Sequence, residues 1–192
     1  MTENRFSAGQ LREFVIAAHW NLPKVQEVLV AFPEILNVPN QWAENDWETA
    51  IQAAAHAGSA HVADFLLAKG APLGICTAAM LGRQRDVERL LADDSVLIHA
   101  TGAHGIPLMV HVALSDNVPL AQMLFGLGAR QGMSFALSNA VTKGRLEMAR
   151  WILENGNPDL TWKNYEGKTA LTIASEISHE PLLVLLKNFG AV

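Results

Sequence analysis

Histidine is the side chain of this sequence with the widest chemical reach, as a metal ligand or as a proton carrier near neutral pH, and seven of them occur. His56 and His61 lie five residues apart, as do His99 and His104. Two imidazoles on one helix face need a spacing of three or four, and a turn at Gly58 divides the first pair. The spacing therefore predicts structural or surface histidines, with no metal and no cofactor. The lone Cys76 excludes an internal disulfide and a cysteine-based zinc knuckle. Inside a predicted helix it reads as a small core residue and not as a nucleophile. A phosphate loop, a Gly-x-Ser-x-Gly elbow and a His-Glu-x-x-His pair are all absent, so the residues predict no enzyme.

Large aromatic side chains in connecting segments are the next candidates, because such residues commonly supply most of the energy of a protein interface. Trp42 and Trp47 stand among Glu44, Asp46 and Glu48, and Trp162 and Tyr165 flank Lys163. Two readings stand side by side: these rings contact a partner, or they pack along their loops and stiffen them. Trp151 falls between core positions of a predicted helix, where packing explains it.

The elements that must position these residues recur along the chain. The segment "ETAIQAAAHAGSAHVADFLLAKGAPL" (48–73) reads as two short apolar helices separated by one Gly and followed by another. So small a helix pair cannot bury its own apolar face, and a pattern that needs copies of itself predicts a stack. The second helix reappears as "PKVQEVLV", "RDVERLLA", "PLAQMLFG", "EMARWILE" and "PLLVLLKN". Pro23, His61, Arg85, Pro119, Glu147 and Pro181 are equivalent, at intervals of 38, 24, 34, 28 and 34 residues. Proline recurs there because the first turn of a helix has no use for that N–H.

Three residues beyond each of these positions come Gln26, Asp64, Glu88, Gln122, Arg150 and Val184, which predicts a solvent stripe broken only by the last. Each second helix is predicted to stop at Gly70, Asp93-Asp94-Ser95, Gly128, Gly156 or Gly190, with left-handed backbone at the glycines. Leu66, Leu90 and Leu124 are predicted to face neighbouring units.

On these residues the chain resembles the ankyrin-repeat family. The resemblance is carried by "TAIQAAAHAGSAHVADFLLAKGA", by "GKTALTIASEISHEPLLVLLKNFGA" and by the second half of "FALSNAVTKGRLEMARWILENG". It implies an all-α solenoid of about six helix-turn-helix units, forming one domain over 1–192 with units at approximately 8–36, 46–72, 73–96, 105–130, 133–158 and 167–192. The long intervals leave room for fingers before units two, four and six, and the short ones predict truncated connections before units three and five. Trp47 stands where the family has a turn glycine, and Cys76 where it has a histidine. In this family the two residues before the inter-helix Gly line a concave groove; here they are His56-Ala57, Met80-Leu81, Leu114-Ser115 and Thr142-Lys143. Met80, Leu81 and Leu114 then form an apolar strip that is either exposed as an interface or covered by neighbouring units.

Composition narrows the partner. Half the residues are hydrophobic and 17% are charged, which fits a folded chain. A net charge of −5 argues against nucleic acid, whose binding needs clustered Lys and Arg. Residues 1–48 hold seven acids and three bases, whereas 105–192 hold seven of each, so the negative field lies at the N-terminal end. The sequence has no signal-peptide pattern and no apolar run of membrane-spanning length, which predicts a cytoplasmic protein without a membrane partner. The expected function is non-catalytic binding, as a monomer, of another protein bearing a basic patch. Trp42, Glu44, Asp46, Trp47, His56, Met80, Leu81, His104, Leu114, Trp162 and Tyr165 are the candidate contacts. An inhibitor or immunity-type subunit of one enzyme is the alternative, and a small enzyme is the remoter one.

Overall fold

A computed structural model describes residues 5–192. Helices pair along the chain: α1 (Ala8–Ala18) with α2 (Leu22–Ala31), α3 (Ala50–Ala57) with α4 (Ala60–Ala68), α5 (Ile75–Met80) with α6 (Gln84–Asp93). They continue as α7 (Leu108–Val112) with α8 (Val118–Gly126), α9 (Met133–Thr142) with α10 (Leu146–Asn155), and α11 (Ala170–Glu176) with α12 (Glu180–Asn188). The odd-numbered helices pack on one another in sequence order to form one row, and the even-numbered helices lie behind them. The fold is an all-α solenoid. No helix among the described residues is long and apolar enough to cross a membrane.

Local chemistry explains why each pair forms where it does. Pro23, Pro119 and Pro181 each occupy the first turn of their helix, and Asn21, Asn117 and His179, two residues earlier, accept a backbone N–H as caps. Ser7 with Gln10, and Thr49 with Gln52, form reciprocal capping boxes at α1 and α3. All six stripe positions are exposed, Val184 included. The small residues of the first helices are buried: Ala53, Ala54, Ala78, Ala79, Ala113, Ala140 and Ala174 let the inner row approach closely.

Two expectations are corrected. Leu66 and Leu124 are fully buried, but Leu90 is only half-buried, because α6 is the most polar helix of the stack and buries Val87 alone. Gly70, Gly128 and Gly190 do adopt left-handed backbone, whereas Gly156 is right-handed and Asn157 takes the positive φ of 46°. Glycine is required at 156 for space: a Cβ there would collide with the Met133 side chain and lie 2.8 Å from the Ile152 carbonyl oxygen. The α6 stop also needs no left-handed residue, since Asp94 is extended and its side chain caps the following turn at Val96.

The connections alternate in length. Before α3 a hairpin of β1 (Asn40–Ala43) and β2 (Asp46–Glu48) projects from the stack. Its tip is turned by Asn45 at φ 62°, so Asn45 does the work of a turn glycine and Trp47 sits on the strand. A bulge between Gln41 and Ala43 re-aims Trp42. The finger before α7 is held by a single bridge from Thr101 to Pro107 around a short 3-10 turn, Ala103–Gly105. The finger before α11 has no strand; Asn164 closes it by accepting the backbone N–H groups of Glu166 and Lys168. The connections before α5 and α9 are short.

Buried side chains form two groups, one running from Phe6 to Ala71 and the other from Ile75 to Ala191. Met80 and Leu114 belong to the first group although their helices contribute to the second. They lock the two together.

Candidate functional site

Glu48, the last residue of β2, is fully buried. Burying a carboxylate is expensive unless it is paired, and three histidines and a tryptophan surround this one. Trp42 Nε1–H donates to Glu48 Oε2 at 2.7 Å. Around the other oxygen, Oε1, stand His56 Nε2 at 2.7 Å, His104 Nε2 at 3.4 Å and His19 Nε2 at 3.9 Å. The rings meet edge to face, His19 with His56 at 4.8 Å between centroids and His56 with His104 at 5.2 Å.

Each ring is delivered by a different element. His19 caps the C-terminus of α1, and its Nδ1 donates to the carbonyls of Ile16 (3.0 Å) and Val15 (3.1 Å). Its own carbonyl accepts the Ser59 hydroxyl, which ties it to the next unit. His56 comes from the last turn of α3. His104 rides on the second finger in a left-handed conformation, φ 59°, with Nδ1 2.9 Å from the Asp46 carboxylate. The bulged Trp42 is covered by the Arg12 guanidinium, 4.8 Å from the ring centre.

Charge in the cluster follows from this packing. Burial alone pushes the Glu48 carboxyl up. The hydrogen bond and charge of His56, with His19 and the Trp42 N–H, outweigh it and hold the carboxyl below its ordinary value. Burial, reinforced by the neighbouring His56, pushes the His19 imidazole down.

The cluster borders the concave face. His19, His56 and His104 line one end of a groove of about 790 Å³, with Ile106, Leu114 and Phe135 on its apolar floor and Tyr165, Lys168 and Glu176 at the far side. Trp20 stands at the near rim, 64% exposed. A shallower depression on the other side of the cluster is lined by Ile16, Trp20 and Trp42.

The sequence candidates fall into distinct places. Glu44 is exposed at the hairpin tip, and Asp46 is engaged by His104. Trp47 is half-exposed, whereas Trp42 is turned inward on Glu48. Trp162 stacks on Phe135 with centroids 5.3 Å apart, while Tyr165 is 95% exposed. Of the two readings of the apolar strip, the covered one holds: Met80 and Leu114 are buried in the first core group and Leu81 is half-buried against it, so of the three Leu114 alone lines the groove. Glu48, expected with the solvent-facing acids of the hairpin, is instead the most deeply buried carboxylate of the site.

His19, Glu48 as a buried centre, and Trp20 escape sequence reasoning. The groove row traced backwards from His56-Ala57 by the same register reaches Ala18-His19, which was the available signal. It is hidden because the first unit has no Gly at its inter-helix turn. His111 is separate from the cluster and buried, and burial pushes its pKa down to about 4. Burial likewise pushes the Cys76 thiol up to about 12, which fits a core residue.

Comparison with known families bears on the whole stack. A family model described as an ankyrin repeat matches residues 46–78, and a model of ankyrin repeats in many copies matches residues 137–186. No curated protein matches the chain. The first match spans the second strand of the first finger, its helix pair and the start of α5, and the second spans most of the last two pairs; these segments are ankyrin repeats, and the same helix-pair architecture runs between them.

Proposed function

We propose that this protein is a non-catalytic binding module that holds a segment of another protein in the groove between its first and last fingers. Ankyrin repeats are in general protein–protein interaction modules. The observation that carries the reading here is the pair of solvent-facing aromatics that line one groove, Trp20 at 64% exposure from the first unit and Tyr165 at 95% from the last finger. Rings held out in water at the mouth of an apolar floor gain most from being covered. The partner presents an apolar segment to Ile106, Leu114 and Phe135, and basic groups toward Glu44 and the acidic N-terminal units. Because Glu48 is buried and Asp46 is occupied by His104, Glu44 is the main free acid of the finger, and charge steering is modest.

The test is affinity capture from the native cell by the parent protein and by the Trp20→Ala/Tyr165→Ala variant. A partner retained by the parent should bind the variant at least about tenfold more weakly, chiefly through faster dissociation, as expected when anchoring rings are removed. Equal retention of every captured protein by both, with unchanged circular dichroism, would move the interface off this groove.

A further inference from the structure

We propose that His19, His56, His104 and Glu48 form a binding site for a divalent transition-metal ion of the zinc class, at the end of the groove where the first two fingers meet. The convergence is on one atom: three Nε2 atoms lie 2.7, 3.4 and 3.9 Å from Glu48 Oε1. The donor atoms of His19, Glu48 and His56 all fall within 4.8 Å of one another. In a tetrahedral zinc site with bonds near 2.0–2.1 Å, neighbouring donors stand about 3.3 Å apart, so the observed separations bracket that edge. His19, Glu48 and His56 form the core of the set, and His104, 3.4 Å from Glu48 Oε1, would complete it by rotation of its ring.

The protons of the outer nitrogens point the same way. Backbone carbonyls only accept, so the Nδ1 of His19 that faces Val15 and Ile16 carries the ring proton when the imidazole is neutral. Asp46 holds the Nδ1–H of His104 in the same manner. Both rings in their neutral form then aim an Nε2 lone pair at a buried carboxylate oxygen, an arrangement that is repulsive until a cation lies between them. A metal ion there would meet the lone pairs of His19 and His104 and the charge of Glu48, and would take up the third imidazole by displacing the proton that His56 Nε2 donates to Glu48. The partners of the far nitrogens, a carboxylate for one and carbonyls for the other, are those that orient and strengthen metal-binding imidazoles. Trp42 fixes the second oxygen of Glu48 and leaves Oε1 to the ion.

His104 holds a left-handed φ of 59°, which histidine adopts more readily than most side chains, and this conformation carries its ring to Glu48. Three imidazoles with one carboxylate suit zinc, copper, nickel or iron and do not suit magnesium or calcium. An ion at this position would join the end of α1, the hairpin with the α3 that follows it, and the second finger, which span residues 19 to 104. The assignment does not depend on the groove's binding a protein.

The test uses the full chain, stripped with a chelator, and Zn²⁺ as the probe in calorimetric titration, with Co²⁺ substitution read by visible absorption. One ion should bind per chain and raise the thermal midpoint, and Co²⁺ should give the ligand-field bands of a four- or five-coordinate nitrogen-rich site. His104→Ala, on an outlying finger, should weaken Zn²⁺ by at least about tenfold, and Asp46→Asn, which touches no ion directly, by about 10–100-fold. Affinity should fall with pH as protons compete for the imidazoles. His61→Ala, on an exposed helix start away from the cluster, should leave binding unchanged. Absence of one-to-one binding by the parent overturns the site. So does parent-strength binding by a folded His19→Ala/His104→Ala double variant, which would mark the ion as one held by scattered surface histidines.

Discussion

His111 is the residue on which the acid stability of this protein turns most directly. It is 1% exposed, its Nδ1 faces the Pro107 carbonyl at 3.1 Å, and its Nε2 has no hydrogen-bond partner. Burial, the largest influence, pushes its pKa down to about 4 from the ordinary 6.5. Above pH 6.5 the ring is neutral in folded and unfolded chains alike. As pH falls from 6.5 toward 4 only the unfolded chain takes up the proton, so stability drops, by about 3 kcal/mol at 1.36 kcal/mol per unit. His19, also pushed down by burial, acts in the same direction below pH 6.5. The lowered Glu48 carboxyl adds a loss only at more acid pH, as it is protonated in the folded state. Urea unfolding at steps between pH 7 and 4.5 should show this decline, and His111→Asn should flatten it. An unchanged slope in that variant would assign the acid sensitivity elsewhere. Gly102 is tied to the same ring, since a Cβ at 102 would lie 2.7 Å from His111 Nε2.

Among the elements, the turn between the two helices of a unit is the most regular structure in the molecule and the most uneven in sequence. Gly58, Gly82 and Gly144 adopt φ of 66° or 67°, and Asp116 and Ser178 occupy the equivalent positions at 62° and 54°. Only the first unit departs: its turn contains Trp20 and no positive φ among its residues. An L-residue with a Cβ is strained by about 1–2 kcal/mol in this conformation, and glycine offsets part of that relief through its greater freedom in the unfolded chain. Ser178→Gly should therefore stabilise the protein by about 0.5–1 kcal/mol, and Gly144→Ala should destabilise it by more than that. Chemical denaturation of the two variants beside the parent checks the pair. A neutral or destabilising Ser178→Gly would mean that the exposed Ser178 side chain has a role in the turn. Asp116 is the less clean site, because its carboxylate lies 3.8 Å from Arg145.

For the molecule as a whole, stability is shared through contacts between neighbouring units. Leu66 and Leu124 are fully buried, one in each core group. Truncating either to Ala should cost about 2–5 kcal/mol, whereas half-buried Leu90 on the polar helix α6 should cost distinctly less. Thermal and urea melts of the three variants test the order. Equal losses at all three positions would contradict the peripheral place of α6. In the last unit Val184, 49% exposed, stands at the outward position where the other units carry Gln26, Asp64, Glu88, Gln122 and Arg150.

Periodicity alone determined the helix pairs, the outward stripe, the prolines of the first turns and the alternation of long and short connections. These are local features repeated in each unit, and every unit buries the same side of the same helix, so any copy reports on the rest. The site is different in kind. His19, Glu48, His56 and His104 belong to four elements, and no spacing along one helix face relates them. Glu48 ends a strand whose alternation cannot say which side meets α1 and which meets water, and the bulge at Trp42 shifts that alternation within the hairpin. Met80 and Leu114 read equally well as exposed groove residues or as covered ones until the units are stacked. Only tertiary structure decided these matters, because stacking brings the second finger onto the first and so turns one acid of a seemingly solvated hairpin into the buried centre of three imidazoles.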